Sequence, residues 1–157
     1  IHTCVDTSGI FYRESNRAEY DELMKYTDLV MLDIKHIDDE EHKKLTAQSN
    51  KHILEFAEYL RDIGKDVWIR HVVVPGITLK EKPLHDLGYF LGGLTNLKAL
   101  DVLPYHTMGI VKYEQLGMEY PLEGVEPATK EQAVWAKNII FEGLKERLRD
   151  DNKKAPE

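Results

Sequence analysis

Four apolar residues in a row, Leu29, Val30, Met31 and Leu32, run straight into the charged pair Asp33 and Lys35. Comparable runs return in VWIRHVVV (67–74) and ALDVLP (99–104), and helix-length segments separate them. A strand that is apolar at successive positions is buried on both faces. Parallel sheets bury strands in this way beneath helices, whereas antiparallel sheets usually leave one face wet. The alternation of such strands with helical segments therefore restricts the chain to an α/β fold of parallel strands with helices packed outside.

Read along the chain, HTCVDTSG is a first strand ending in a glycine turn, EYDELMKYT a short helix and DLVMLDIKH a second strand. NKHILEFAEYLRDIG is the clearest helix, with Asn50 as its cap, a stripe of Ile53, Leu54, Phe56, Ala57 and Leu60, and Gly64 as its stop. VWIRHVVVPG is the third strand. EKPLHDLGYFLGGL is a weaker helix because Gly88, Gly92 and Gly93 lower its propensity. ALDVLPYH is the fourth strand, and residues 107–128 read as a loop. A final helix is expected from about Lys130 to Leu148, opened by the capping-box spacing of Thr129 and Gln132. This organisation predicts one domain over residues 1–149 and a disordered tail over 150–157.

About four parallel strands make roughly half of an eight-stranded barrel, which needs about 250 residues. The expected architecture is a small open sheet or a partial TIM-like barrel whose other strands lie upstream of Ile1. The opening IHTCVDTSG lacks a methionine and already has a strand pattern, which reads as a piece of a larger protein. With 21 Lys and Arg against 28 Asp and Glu, the net charge is −7, and neither nucleic acid nor an anionic membrane is expected as the main partner. The single cysteine, Cys4, forms no internal disulfide, which fits a reducing cytoplasm. Cys4 itself reads as a packed thiol.

The strand ends carry the chemistry. Asp6 with Thr7, Asp33 with Lys35, Arg70, and His106 after LPY all fall where parallel α/β folds bind ligands, at the carboxyl ends of the strands. Two acids and two bases could simply neutralise one another in a barrel interior, where such pairs add little net stability. They also suit a zwitterion, because an ammonium seeks Asp and a carboxylate seeks Lys or Arg. HIDDEEH (36–42) places carboxylates between two histidines and is better explained as an acidic helix start than as a metal site. His52 and His85 read as surface residues, and LGGL lacks the context of a phosphate loop.

Five segments in order, IHTCVDTSG, DLVMLDIKHID, VWIRHVVVPGIT, LPYHTMG and LGMEYPLEGVEPAT, resemble the C-terminal part of the pyruvate formate-lyase activating enzyme family. The resemblance implies a radical S-adenosylmethionine enzyme, an oxidoreductase of anaerobic glucose metabolism, on a partial barrel. In that family a [4Fe-4S] cluster, reduced by a donor such as flavodoxin or ferredoxin, cleaves S-adenosylmethionine. The resulting 5′-deoxyadenosyl radical takes a hydrogen from one glycine in a loop of pyruvate formate-lyase. By the same resemblance Lys35 pairs with the cofactor carboxylate, with Asp33 and the Ile34 backbone beside it and His106 near the adenosine. Asp6, Thr7, Met31 and Asp33 match positions around a monovalent cation, and Arg70 and Val72 match the channel for cofactor and glycyl peptide.

The family's C-x-x-x-C-x-x-C triplet and its GGE segment are absent from this sequence. One cysteine cannot supply the three thiolates such a cluster takes, so the cluster ligands are expected outside this chain, which is expected to be inactive alone. Two other classes fit parts of the pattern. Asp33, Lys35 and Asp38 spell D-x-K-x-x-D, which resembles the orotidine-monophosphate decarboxylase group, and a cluster-free chain could serve as a non-catalytic module that binds S-adenosylmethionine or a peptide.

Overall fold

The computed structural model describes residues 1–154. Among these residues four strands, β1 (Cys4–Thr7), β2 (Leu29–Asp33), β3 (Val67–Val73) and β4 (Leu97–Pro104), form one sheet in sequence order, with all neighbours parallel. The fold is α/β, a partial TIM-like barrel with helices on one face. The helices are α1 (Arg17–Lys25), α2 (Asp39–Thr46), α3 (Lys51–Asp62), α4 (Glu81–Leu91), α5 (Ile110–Gln115) and α6 (Lys130–Lys154).

Period-two alternation sorts each strand between two environments. Val30, Leu32, Ile69 and Val73 point to the helical side and are fully buried, together with Ile34 just beyond β2. The α3 stripe meets them there, with Ile53, Phe56, Ala57 and Leu60 at most 2% exposed. Tyr12, Tyr20, Phe56 and Tyr59 extend this core as a ring cluster with centroids 4.9–6.4 Å apart. The alternate residues Cys4, Asp6, Met31, Asp33, Arg70, Asp101 and Leu103 face the open, concave side.

The expected weakness of α4 has a packing reason. A Cβ at Gly88 would lie 1.8 Å from the Ile140 carbonyl oxygen, and one at Gly143 would lie 2.0 Å from that of His85. Each glycine thus lets the other helix's backbone approach, and α4 and α6 cross in direct contact at the cost of lower propensity. α6 begins with the expected box, in which Thr129 N–H donates to Gln132 Oε1 at 2.8 Å and Gln132 N–H to Thr129 Oγ1 at 3.1 Å.

Four expectations are corrected. Residues 107–128 are not all loop, because α5 and a 3-10 turn over Thr107–Gly109 lie within them. α6 continues to Lys154, so residues 150–154 are helical rather than a disordered tail, and residues 155–157 lie outside the described residues. Asn50 occupies the N-cap position of α3 without a side-chain cap. Its amide instead donates to the carbonyls of His36 (3.0 Å) and Ile37 (2.7 Å), tying the segment after β2 to α3. Cys4 is exposed on the concave side of β1 rather than packed.

Candidate functional site

The D-x-K stretch is held from beneath. Ile34 N–H donates to the Arg70 carbonyl at 3.1 Å, and the Ile34 carbonyl lies 2.8 Å from Nδ1 of buried His71. A carbonyl only accepts, so Nδ1 carries the proton and Nε2 keeps its lone pair. Burial pushes the His71 imidazole down to about 4, against the hydrogen bond to Ile34, so the ring is neutral near pH 7. These two bonds fix the backbone between Asp33 and Lys35 and aim both side chains toward the concave side.

On that side four charges join in one network. Lys35 Nζ donates to Asp33 Oδ2 at 2.8 Å, and Arg70 Nε donates to Asp33 Oδ1 at 2.9 Å. A terminal nitrogen of Arg70 reaches Asp6, so the guanidinium spans the two carboxylates. Burial opposes the charge on Arg70, but the Asp33 hydrogen bond and the Asp33 and Asp6 carboxylates outweigh it and hold its pKa above the usual value. The side chains of Asp33 and Arg70 are 21% and 22% exposed, Lys35 37% and Asp6 55%. The network is therefore reachable by solvent from the concave side.

The remaining candidates divide by face. Met31 lies in register between Asp6 and Trp68, and Val72 shares the side of Arg70 opposite Leu103. Thr7 does not join Asp6 on the concave side, because neighbouring strand residues point apart. Its hydroxyl accepts from Gly9 N–H at 3.0 Å, and it lines a cleft of about 370 Å³ with Val5, Phe11, Tyr20, Met24 and Phe56. His106 is exposed at the start of the 3-10 turn after β4. Its neighbour Tyr105 anchors that strand end through N–H to the Val73 carbonyl at 3.0 Å. The Tyr105 hydroxyl also meets that of Tyr120 at 2.7 Å, and this bond pushes the Tyr120 phenol up to about 12.

Asp38 stands apart from Asp33 and Lys35 in role. Its carboxylate caps α2 by accepting from Glu41 N–H at 2.9 Å, which accounts for the acidic start of that helix. His52 and His85, each 33% exposed in the side chain, meet Glu55 at 2.8 Å and Glu146 at 3.1 Å. The sequence reading missed Asp101, which pairs in register with Arg70. The signal for it was present, since Asp101 stands two residues before Leu103 and two after Ala99 in a strand whose other face is apolar.

The donor set fits a zwitterion at the strand ends, with two carboxylates for a cation and an ammonium and a guanidinium for a carboxylate. It does not fit an iron–sulfur cluster. Cys4 is the chain's one thiol, and no group of three or more His, Cys, Asp or Glu among the described residues is gathered closely enough to hold a metal ion.

Residues 1–87, more than half of the chain, match the Radical SAM superfamily, and the chain belongs to it. Within that superfamily the similar relatives are pyruvate formate-lyase-activating enzymes. The one from Streptococcus mutans serotype c is 46% identical over 154 residues, covering 94% of this chain and 59% of the relative. The one from Staphylococcus epidermidis is 48% identical over 134 residues, covering 83% and 53%. The chain thus spans a little over half the length of the curated relatives it matches. A crystal structure of a domain of pyruvate-formate lyase-activating enzyme from Bacteroides vulgatus shares the fold, with a TM-score of 0.71 at 22% identity over 91% of this chain and 77% of that one. A radical SAM methyltransferase from Sphaerobacter thermophilus shares it less closely, with a TM-score of 0.63 at 15% identity over 89% and 37%. Among the described residues no helix is long and apolar enough to cross a membrane.

Proposed function

We propose that this chain is the C-terminal part of a glycyl-radical enzyme activase that acts on a glycine loop of pyruvate formate-lyase in the cytoplasm. The observation that carries the reading is the pinned Asp33-Ile34-Lys35 stretch with Arg70 and Asp6 around it, on a chain nearly half identical to pyruvate formate-lyase-activating enzymes. S-adenosylmethionine, when bound, supplies the hydrogen-abstraction chemistry. Lys35 holds the cofactor carboxylate, giving up part of its contact with Asp33, while the Ile34 backbone and His106 flank the rest of the molecule. Arg70 and Val72 line the path of the glycine peptide. A monovalent cation at Asp6, Met31 and Asp33, with Thr7 contributing its backbone, competes on this reading with the Arg70 guanidinium for the same carboxylates.

The [4Fe-4S] cluster has no ligand set here, so no electron-transfer step is assigned to this chain, which on this reading is inactive alone. Flavodoxin or ferredoxin would act on the part that holds the cluster. The test is calorimetric or NMR titration of the chain with S-adenosylmethionine, comparing wild type with Lys35→Ala. Removing the ammonium that meets a partly desolvated carboxylate should weaken binding by about 2 kcal/mol, roughly 30-fold. Unchanged affinity removes Lys35 from the site and the reading with it.

A further inference from the structure

Asp33, Arg70 and Asp101 lie on three adjacent strands at one level of the sheet, a base between two acids. Arg70 turns wholly toward one side of this row. It donates to Asp33 and reaches past it to Asp6, while Asp101, on the other side, makes no hydrogen bond or ion pair among the described residues. Asp101 is nevertheless half-buried, between Ala99 and Leu103 on the concave side of β4. A partly buried carboxylate with no partner of its own is free to meet a cation that enters from the concave side.

A charge count gives the class of ligand. The concave side presents three carboxylates, Asp6, Asp33 and Asp101, against two cations, Lys35 and Arg70. Whether or not a monovalent cation sits at Asp6 and Asp33, Asp101 adds one negative charge to the set, and so shifts its preference toward a ligand that carries one more positive charge. S-adenosylmethionine is such a ligand, with an ammonium and a sulfonium against one carboxylate. Its thioether counterpart, S-adenosylhomocysteine, lacks the sulfonium charge and is balanced.

We propose that Asp101 is a binding residue of the concave side that confers preference for the sulfonium form of the ligand over the thioether form. The proposal rests on the cofactor reading above and extends it to charge selectivity. Unit charges near a protein surface couple strongly enough over several ångströms to give a preference on the order of tenfold, and salt weakens that coupling.

The experiment is an NMR titration of the whole 157-residue chain with each of the two ligands, using wild type, Asp101→Asn and Asp101→Glu. Asp101→Asn should lose on the order of tenfold in affinity for S-adenosylmethionine and less than about twofold for S-adenosylhomocysteine, and Asp101→Glu should keep the preference. In the wild type, added salt should narrow the gap between the two ligands, a measurement that needs no variant. Equal losses for both ligands, no loss for either, or a salt-independent ratio overturns the role of Asp101 and leaves the cofactor reading standing. A wild-type chain whose spectrum responds to neither ligand overturns the cofactor reading itself, and this one with it.

Discussion

The two faces of the sheet come from the same four strands and from alternate residues of the same sequence, yet they do opposite work. The helical face is dry. Val30, Leu32, Ile69 and Val73 are fully buried there, and α3, α4 and α6 close over them. The concave face carries the Asp6, Asp33, Lys35 and Arg70 network, with Trp68 37% and Leu103 42% exposed. A residue's contribution to stability therefore depends on its parity along the strand more than on its type. Stability resides on the face that touches helices, and the charged network on the face that touches solvent.

The sharpest way to break this comparison is a pair of truncations. Ile69→Ala removes a fully buried side chain from the helical face and should cost about 2 to 5 kcal/mol. Leu103→Ala, on the concave face of the next strand, should cost less than about 1 kcal/mol. Urea unfolding of both variants checks the pair, and equal losses would mean that the concave side is as much a core as the other.

A smaller effect comes from pH. His71 is a polar residue that the helical face buries beneath the D-x-K stretch, and its folded pKa of about 4 lies below the ordinary histidine value. The unfolded chain therefore binds a proton that the folded chain refuses as pH falls below the unfolded value. Stability is full above that value and is lost progressively as pH drops toward the folded pKa. Burial lowers the pKa of His36 as well, which acts in the same direction. From pH 7 to pH 5 the His71 contribution is roughly 2 kcal/mol, read as a fall in urea midpoint, and His71→Gln should flatten that part of the profile. A pH profile unchanged in the variant would assign the acid sensitivity to other groups.

The smallest effect is expected on the concave face. Lys35→Ala removes one of two cations on Asp33 from a pair in which the lysine side chain is 37% exposed, so thermal or urea unfolding should register less than about 1 kcal/mol. A loss of several kcal/mol would make the network structural and favour mutual neutralisation over ligand binding.

What the sequence disclosed and what it hid follow from the range of the interactions involved. The four parallel strands, the α3 stripe and the Thr129 and Gln132 box were legible because each is written in residues a few positions apart. Asp33 and Lys35 were legible because opposite charges at the end of an apolar run are locally anomalous. Asn50 looked like a cap because that too is a local rule, but its amide goes to carbonyls 13 and 14 residues earlier in the chain. Thr7 was grouped with Asp6 by adjacency although the pleat separates them. Asp101 went unnoticed because its significance arises only when β4 is set beside β3 and the register brings it level with Arg70.

The crossing of α4 and α6 sets a rule for anyone engineering this chain. Replacing a helical glycine by alanine is ordinarily a reliable gain of roughly 1 kcal/mol, and a stabilisation library would place Gly88 and Gly143 near the top of its choices. Here the added methyl at either position enters the opposite helix's peptide backbone, which has no rotamer to escape into, so the gain becomes a loss. The two positions also form a lock with two keys, since relieving one contact leaves the other closed. A lineage drifting away from glycine at this crossing would have to move the whole of α6, and with it the roof over β3 and β4.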